Sequence, residues 1–260
     1  MTDSPRITPI VAVVSGAGSA GKTTTATTVA TMLAEDGQQV LLVDLDPQAN
    51  ATSAVGVDPA TVRNTIGSVM LREVPLSEAI VDTQVPGLSL VPSSDLLSRH
   101  ALELETIRMS EPRLARALRD VDADVVILDC QAGDALLPVA ALVAATSVMT
   151  TTFPSTKELQ GISRIEALVG EVADEYERDL QLGAVVPCNV PPASSGRLYS
   201  DAMAALRETY PELVTPAVRR SVAAARAYDQ SSPLPISAPK ESVTEDYRAV
   251  YADLRAKGVL

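Results

Sequence analysis

The sequence predicts an α/β fold, a mainly parallel, twisted sheet with helices on both faces, in one domain spanning residues 1–260 with a flexible stretch at 1–8. Short apolar runs of strand length alternate with helical stretches, which is typical of parallel strands joined by helical crossovers. Hydrophobic residues make up 46% of the chain and aromatic residues only 3%, so a sizeable core must be built from Val, Leu, Ile and Ala.

The apolar runs and the stretches between them predict strands and helices in alternation. The predicted strands are 10–14, 40–43, 88–91, 125–128, 147–152, 182–186 and a short edge strand at 213–214. The predicted helices are 22–35, 113–119, 135–145, 157–176, 197–209 and 243–257. Residues 57–82 are weakly patterned and are expected to form short helices. Pro233, Pro235 and Pro239 predict an extended stretch before the last helix, because a residue that precedes proline is disfavoured in helical conformation.

The apolar and sulfur-containing residues exclude several classes of protein. No run approaches the roughly 20 apolar residues that span a bilayer, and residues 1–9 lack the apolar region of a secretory signal. We therefore expect a cytoplasmic protein without a membrane partner. Two cysteines, Cys130 and Cys188, and one histidine, His100, do not support a disulfide framework or a Cys/His metal site. Cys130 is expected to be a buried free thiol, and His100 is assigned no role.

Charge is distributed unevenly along the chain. The net charge is −12, the wrong sign for a protein coated in DNA-binding charge. From residue 219 onward seven Lys/Arg stand against five Asp/Glu, so this segment is net positive by two and the rest is net negative by fourteen. Any surface that binds a polyanion is therefore expected to be local and C-terminal. The alternative is a solvated helical surface of mixed charge.

The spacing G-x-x-x-x-G-K-T occurs between a predicted strand and a predicted helix. Its residues are Gly16, Ala17, Gly18, Ser19, Ala20, Gly21, Lys22 and Thr23, with Thr24 next. Glycines let successive backbone N–H groups turn around phosphate oxygens, and the helix N-terminus adds its unsatisfied N–H groups. Lys22 is expected to reach the β- and γ-phosphates and Thr23 to bind Mg²⁺. The motif predicts a site for ATP and Mg²⁺ on a P-loop NTPase fold; the alternative is an ordinary turn between strand and helix.

Acidic residues follow two of the predicted strands. Asp44 and Asp46 come after the strand at 40–43, and Asp129 comes after the strand at 125–128. Because the carboxyl ends of parallel strands share one edge, all three carboxylates are candidates to face the nucleotide. Asp129 is predicted to hold Mg²⁺ directly or through water, Asp46 to orient the attacking water, and Asp44 to support Mg²⁺ indirectly. Strand-end capping and turn chemistry remain alternatives, since Asp is favoured there anyway.

At this point the residues resemble a known family. The runs G-K-T-T-T at 21–25 and V-D-L-D-P-Q-A-N-A-T at 43–52 closely resemble the ParA/MinD group of deviant Walker ATPases, and the ParA (Soj-like) partition branch fits best. The run V-R-R-S-V at 218–222 resembles the segment that precedes the DNA-binding surface of that family. The resemblance covers the chain from about residue 10 to the last helix.

The resemblance implies a cycle in which ATP drives formation of a sandwich homodimer that binds DNA without sequence preference. A ParB-like protein or a cargo adaptor then stimulates hydrolysis and releases the dimer. On this basis Asp46 is the catalytic switch residue, acting with Lys22. The residues that hold ATP and Mg²⁺ are Lys22, Thr23, Thr24 and Asp129. The residues assigned to DNA are Arg220, which matches a basic contact position, and its neighbours Arg219 and Arg226. Pairing of these arginines with acidic residues is the alternative.

Two positions depart from the family pattern. The signature lysine, which reaches across the dimer to the phosphates of the partner, is replaced by Ala17. We consider Lys157 as the substitute, because it follows a predicted strand end on the ligand-bearing edge; a relocated lysine resembles the carboxysome-positioning branch. A solvated lysine in the first turn of a helix is the alternative. The second departure is C-Q-A at 130–132, where the family has prolines, which puts the shape of that loop in doubt.

The sequence therefore supports three functions. The first is an ATPase, associated with the nucleoid, that positions plasmid or chromosomal DNA. The second is an ATPase that positions a protein cargo on the nucleoid. The third, suggested by Ala17, is a nucleotide-gated binding module with little hydrolysis. Membrane binding is disfavoured, because residues 251–260 lack Phe and Trp and hold few bulky apolar anchors.

Overall fold

A computed structural model of the protein describes residues 8–16, 20–133 and 135–260. The expectations for residues 1–7 and for Ala17, Gly18 and Ser19 lie outside the described residues. The helices are α1 (Lys22–Glu35), α2 (Asn50–Ala54), α3 (Ile66–Leu71), α4 (Leu97–Glu105), α5 (Pro112–Ala117), α6 (Leu136–Ala144), α7 (Thr156–Glu175), α8 (Arg197–Thr209), α9 (Val222–Asp229), α10 (Leu234–Ser237) and α11 (Ser242–Ala256). Single 3₁₀ turns lie at Leu76–Glu78 and Ala193–Ser195.

The strands form one sheet. They are β1 (Ile10–Val14), β2 (Val40–Leu45), β3 (Val81–Asp82), β4 (Leu88–Val91), β5 (Val125–Cys130), β6 (Ser147–Thr152) and β7 (Leu182–Pro187). Their order across the sheet is β3-β4-β2-β5-β1-β6-β7. Every neighbouring pair is parallel except β3 and β4 at one edge. The predicted mainly parallel α/β fold is therefore confirmed.

The sheet has an apolar core on each face. Successive strand residues point to opposite faces, so Ala12 and Val14 contribute to one core and Val11 and Val13 to the other. The first core is completed by α3 to α8, and the second by α1, α2 and α9 to α11. Burial of both faces explains why the central strands are almost continuously apolar. It also brings the C-terminal helices to the same side of the sheet as α1.

Several boundaries differ from the sequence prediction. The strands β2 and β5 run further than expected, so Asp44 and Asp129 lie inside them, directly opposite each other in the register. Residues 213–214 form no strand; Val214 makes only an isolated bridge to Val185. The short helices expected in residues 57–82 are present as α3 and a 3₁₀ turn. The strand extension matters most, because it buries two carboxylates side by side.

The C-terminal part contains helices that the sequence pattern did not predict. The extended stretch expected at Pro233 to Pro239 is wrong, because α10 forms there with Pro235 in its first turn, where proline needs no N–H partner. Helix α9 was missed; the side chain of Ser221 caps it by accepting a hydrogen bond from the N–H of Ala223. Helix α4 was also missed. Together α9 and α10 cover one side of the cavity described below.

Candidate functional site

The start of the phosphate loop is held by close backbone packing. Strand β1 lies between β5 and β6, and residue 16 follows it at the carboxyl edge of the sheet. A Cβ added to Gly16 would come within 2.8 Å of the Cα of Gly161 on α7. At the other end of the loop, Gly21 has φ 82° and begins α1. Both glycines are therefore needed for the path of the chain.

Lys22 is directed into this loop region and not into solvent. It is 7% exposed, and its Nζ donates a hydrogen bond of 2.7 Å to the Oγ of Ser15. The first turn of α1 contains no acidic residue, and the positive end of the helix dipole there favours negative charge. A buried ammonium beside a helix N-terminus is suited to phosphate oxygens. The assignment of Lys22 to the β- and γ-phosphates stays a prediction.

Thr23 and Asp129 form a ready pair of oxygen ligands. The hydroxyl of Thr23 donates a hydrogen bond of 2.8 Å to Oδ2 of Asp129. The second carboxylate oxygen, Oδ1, is buried and has no hydrogen-bond partner among the described residues. Burial, and to a smaller extent the neighbouring charge of Asp44, raises the pKa of Asp129 well above its usual range. An unpartnered buried carboxylate oxygen is costly unless a cation or a proton satisfies it.

These two residues fit Mg²⁺, which prefers carboxylate, hydroxyl and water oxygens. No cluster of three or more His, Cys, Asp or Glu that could hold a metal ion occurs in residues 8–16, 20–133 and 135–260. Mg²⁺ characteristically takes one or two protein oxygens and completes its shell with phosphate and water. Thr23 and Asp129 would therefore hold it together with nucleotide phosphates.

Asp44 has other partners than a metal ion. Its Oδ2 accepts hydrogen bonds from the N–H and the hydroxyl of Thr52, at 2.8 and 2.7 Å, and its Oδ1 accepts one from the N–H of Asp46 at 3.1 Å. Burial raises the pKa of Asp44 to about 6 despite these hydrogen bonds. The structure thus gives Asp44 the task of holding the loop after β2. Its support of Mg²⁺ stays a prediction.

Asp46 lies in the loop after β2, as expected, and lines a cavity of about 590 Å³. Its Oδ1 accepts a hydrogen bond of 2.9 Å from the N–H of Gln48, and its carbonyl accepts one of 2.7 Å from the hydroxyl of Ser93. The loop is therefore fixed from both sides while the carboxylate stays at the cavity wall. Lys22 and Thr23 line the same cavity, so the structure brings these three predicted residues together.

The cavity is also lined by residues that the sequence analysis did not identify. They are Gln48, Asn50, Asn189, Ala224, Ala227, Tyr228, Pro233 and Leu234, among others, with Thr24 from the predicted set. Asn189 follows β7 and has φ 55°, a conformation that asparagine tolerates better than most residues. Its place after a strand at the carboxyl edge was a signal that could have identified it. The volume is in the range of small-molecule sites.

A buried polar cluster supports the loop from behind. The hydroxyl of Thr25 lies 3.1 Å from the hydroxyl of Tyr247 and 3.5 Å from Sγ of Cys188. Burial raises the pKa of the Cys188 thiol to about 11, so it stays protonated. A Cβ added to Gly21 would come within 2.9 Å of the Cβ of Cys188. Cys130 is likewise a buried free thiol, as predicted.

Lys157 lies in the first turn of α7 and is exposed. It is four residues before Gly161, whose backbone contacts Gly16, so it lies on the face of α7 directed toward the phosphate loop. No hydrogen bond or ion pair holds its side chain within the part of the chain that the structure describes. Both the substitute-lysine interpretation and the solvated-lysine interpretation stay open.

The three arginines assigned to DNA differ in their surroundings. Arg219 forms a bidentate ion pair with Asp246, with Nε–Oδ2 and Nη2–Oδ1 distances of 2.6 and 2.7 Å. Partial burial would raise the pKa of Asp246, but the hydrogen bonds and the charge of Arg219 lower it. Arg220 and Arg226 are exposed. The alternative of arginines paired with acids thus holds for Arg219, whose guanidinium is engaged by a carboxylate.

No helix among the described residues is both long and apolar enough to cross a bilayer.

Comparison with known proteins points to one group of relatives. A family model described as an AAA domain matches residues 8–182. The chain is 30% identical to the cell division protein PomZ of Myxococcus xanthus, over 90% of this chain and 73% of PomZ. It is 34% identical to the sporulation initiation inhibitor protein Soj of Bacillus subtilis, over 68% and 71%. It is 32% identical to the chromosome partitioning protein ParA of Caulobacter vibrioides, over 68% of each chain.

Solved structures agree with the fold. Apo McdA from Cyanothece superposes with a TM-score of 0.85 at 24% identity, covering 95% of this chain and all of that one. Cobyrinic acid a,c-diamide synthase from Mycobacterium smegmatis, solved with ADP and magnesium, superposes with a TM-score of 0.81 at 27% identity, covering 95% and 93%. The fold is thus that of P-loop NTPases, as predicted. At the level of the family, proteins with this fold bind adenine nucleotides with magnesium.

Proposed function

The chain belongs to the ParA/MinD-type family of P-loop ATPases, and we propose that it hydrolyses ATP to position DNA cargo, plasmid or chromosomal, through an ATP-dependent homodimer that binds DNA without sequence preference. The observation that carries the proposal is the pair of Thr23 and Asp129, in which one carboxylate oxygen is buried and has no partner among the described residues. Asp46 lines the adjoining cavity. These positions support an ATP-binding site and a group for hydrolysis at one edge of the sheet.

Each residue has a distinct part in the proposed reaction. Lys22 and the N–H groups at the start of α1 bind the phosphate oxygens and stabilise the negative charge that shifts to the leaving group. Thr23 and Asp129 would hold Mg²⁺, which would supply positive charge to the nucleotide phosphates. Asp46 orients the attacking water at the γ-phosphate. The loop after β2 is fixed by Asp44 and Ser93, so this orientation costs little reorganisation.

DNA binding is assigned to the basic segment on α9 and the residues before it. Arg220 and Arg226 are exposed, and a dimer would present two copies of each. Non-specific affinity for DNA comes from phosphate contacts and release of counterions, so a few cations on one surface are sufficient. The overall negative charge of the chain favours a local contact of this kind over a broad one. A ParB-like activator completes the proposed cycle.

A second candidate function is positioning of a protein cargo along the nucleoid through a cargo adaptor. It is favoured by Ala17 and by the location of Lys157 on the face of α7 next to Gly16. In this proposal Lys157 supplies the cation that crosses the dimer. Lys157→Ala should weaken the ATP dimer about tenfold, the worth of one charge-assisted contact, while nucleotide affinity changes little. An unchanged dimer dissociation constant in sedimentation experiments, equal to that of Lys257→Ala, would remove Lys157 from this role.

The proposed function is tested by measuring ATPase activity with and without DNA, and DNA binding with ATP, ADP and a non-hydrolysable analogue. We expect DNA binding only with ATP or the analogue, and its loss in Arg220→Glu. Arg207→Glu is the matched control, because Arg207 is exposed on α8, on the opposite face of the sheet. Equal loss in both variants would contradict the DNA surface. Bound nucleotide without turnover in every condition would favour a nucleotide-gated binding module instead.

A further inference from the structure

The nucleotide cavity has a wall that comes from the far end of the chain. Helices α9 and α10 contribute Ala224, Ala227, Tyr228 and Leu234 to its lining. These helices lie on the same face of the sheet as α1. The wall also carries Arg226, which is exposed on α9. One short helix therefore borders the cavity with one side and presents a basic residue to solvent with another.

A side-chain hydrogen bond joins this wall to the loop that carries Asp46. The hydroxyl of Tyr228 donates to Oδ1 of Asn50 over 2.7 Å, although the two residues are 178 positions apart. Both residues line the cavity. Asn50 is the first residue of α2 and comes four positions after Asp46. The bond thus links the C-terminal wall of the cavity to the end of the loop after β2.

The loop between Asp46 and Asn50 is short and internally bonded, so displacement of Asn50 reaches Asp46. The N–H of Ala49 donates to the carbonyl of Asp46 over 2.9 Å, and the N–H of Gln48 donates to its carboxylate. Ala49 itself has φ 52°, a left-handed conformation that is unfavourable for alanine. A loop with a residue in that conformation is retained only where its surroundings fix it. The Tyr228 hydroxyl bonds the side chain of Asn50, the residue that follows Ala49.

The bond is suited to opening and closing. Tyr228 is 49% exposed, so its hydroxyl can exchange Asn50 for water at a small net cost in free energy. The turn after α9 is held separately, because Nε2 of Gln84 donates to the carbonyl of Ser231 over 2.5 Å. Loss of the Tyr228 bond would therefore loosen the Asn50 end of the loop without releasing α9, while Asp44 and Ser93 still hold the Asp46 end. Such a contact contributes little to folding and more to the position of the loop.

We propose that Tyr228 is a positioning residue for ATP hydrolysis, which holds Asn50 and through it the Asp46 loop against the α9 wall of the cavity. This inference rests on the proposed function, since Asp46 is taken as the residue that orients the water. Because α9 also carries Arg226, the same bond links the loop at the γ-phosphate to the basic surface.

The test is Tyr228→Phe, which removes the hydroxyl and keeps the ring in the cavity wall. Turnover with saturating ATP should fall about 3- to 10-fold, the equivalent of one hydrogen bond, while the ATP dissociation constant from calorimetry changes less than about twofold. Tyr251→Phe is the matched control. The hydroxyl of Tyr251 donates a hydrogen bond of 2.6 Å to Asp36, and neither residue lines the cavity. This variant should leave turnover unchanged.

A double-mutant cycle identifies the partner. Asn50→Ala should lower turnover as much as Tyr228→Phe, and the double variant should lose no more than either, because both remove the same bond. Full additivity of the two losses would overturn the inference. Equal turnover in Tyr228→Phe and Tyr251→Phe would also overturn the inference about Tyr228. If the wild-type enzyme is active in that case, the proposed function still stands.

A second readout does not depend on hydrolysis. In nucleotide-free protein, amide hydrogen exchange at Gln48 and Ala49 should be about 3- to 10-fold faster in Tyr228→Phe than in wild type, and unchanged in Tyr251→Phe. Equal protection in all three proteins would overturn the inference whatever the ATPase result. The proposed function would be overturned instead if wild-type protein neither binds nor hydrolyses ATP while amide hydrogen exchange is still faster in Tyr228→Phe.

Discussion

The carboxyl edge of the sheet and the basic segment at residues 219–226 place their charged residues by different means. At the sheet edge, Lys22, Asp44 and Asp129 are buried, and each has hydrogen bonds that fix its direction. In the basic segment the arginines lie at the surface, and one of them, Arg219, is bound by an acid 27 positions away. In the first region, strand register and backbone geometry determine where the charged side chains lie. In the second, their environment depends on which charged residues of other elements pack nearby.

This difference determines how well a sequence motif predicts the positions of its side chains. A phosphate loop constrains its residues locally, so the spacing of residues 16–23 places Lys22 and Thr23 once β1 and α1 form. A basic run gives only the number of charges near one place. Whether a given arginine is available to a phosphate depends on packing of α11, which carries Asp246. Substitutions in the first region should therefore act strongly and through geometry, and substitutions in the second weakly and through charge.

The largest effect is expected from Lys22→Ala. Removal of the buried ammonium should weaken ATP binding roughly 100-fold or more, because a charge-assisted contact with phosphate is lost and the loop loses its cation. Calorimetric titration with Mg²⁺ and ATP measures the affinity. The control is Lys257→Ala, which removes an equal charge that is paired with Asp253 on α11. Comparable loss of affinity in both variants would show that total charge, not position, controls binding.

A smaller effect, confined to turnover, is expected from Asp46→Ala. Hydrolysis should fall roughly 100-fold or more because the attacking water loses its orienting group, while ATP affinity and DNA binding change less than about threefold. Asp58→Ala is a matched control, since Asp58 makes the same kind of turn, its Oδ1 accepting from the N–H of Ala60 over 2.9 Å. Normal hydrolysis by Asp46→Ala would make the switch assignment wrong.

The geometry of the loop predicts a difference between two glycines of nearly equal φ. Gly21 and Gly37 have φ of 82° and 85°, so alanine is strained at either position by about 1 kcal/mol. Only at Gly21 would the new methyl group meet another residue, at 2.9 Å from the Cβ of Cys188. Gly21→Ala should therefore lower the free energy of unfolding by about 1–3 kcal/mol more than Gly37→Ala. Denaturant titration of both variants gives the difference, and equal destabilisation would contradict the packing described here.

The smallest effect is expected in the basic segment. Asp246→Asn releases the guanidinium of Arg219 from its ion pair, so DNA affinity of the ATP form should rise about 2- to 5-fold, with a salt dependence steeper by about one phosphate contact. Glu245→Gln changes the net charge equally but releases Arg248, outside the basic segment. Equal gains in both variants, measured by fluorescence anisotropy across a salt series, would indicate that only net charge matters.

The sequence predicted the parts of the molecule in which local pattern and topology agree. The central strands, α1 and the meeting of Asp44, Asp46 and Asp129 at one edge follow from apolar runs and from the rule for parallel sheets. The cavity wall from α9 and α10 could not be predicted in this way. Residues 222–227 are mostly alanine and show no clear amphipathic period, and the prolines at 233 and 235 favour an extended interpretation. Contacts such as Arg219–Asp246 and Tyr228–Asn50 depend on tertiary packing, which no local window contains.

The meeting of Gly16 and Gly161 imposes an unequal constraint on the two positions. A methyl group on residue 16 would press on the backbone of α7 at 2.8 Å, whereas one on residue 161 would rest at an ordinary 3.6 Å from residue 16. In a library that randomises both codons and selects for folded protein, residue 16 should return almost only glycine, while residue 161 should also return alanine. An engineer who wishes to strengthen α7 could thus raise its helix propensity at 161 without disturbing the turn beneath it.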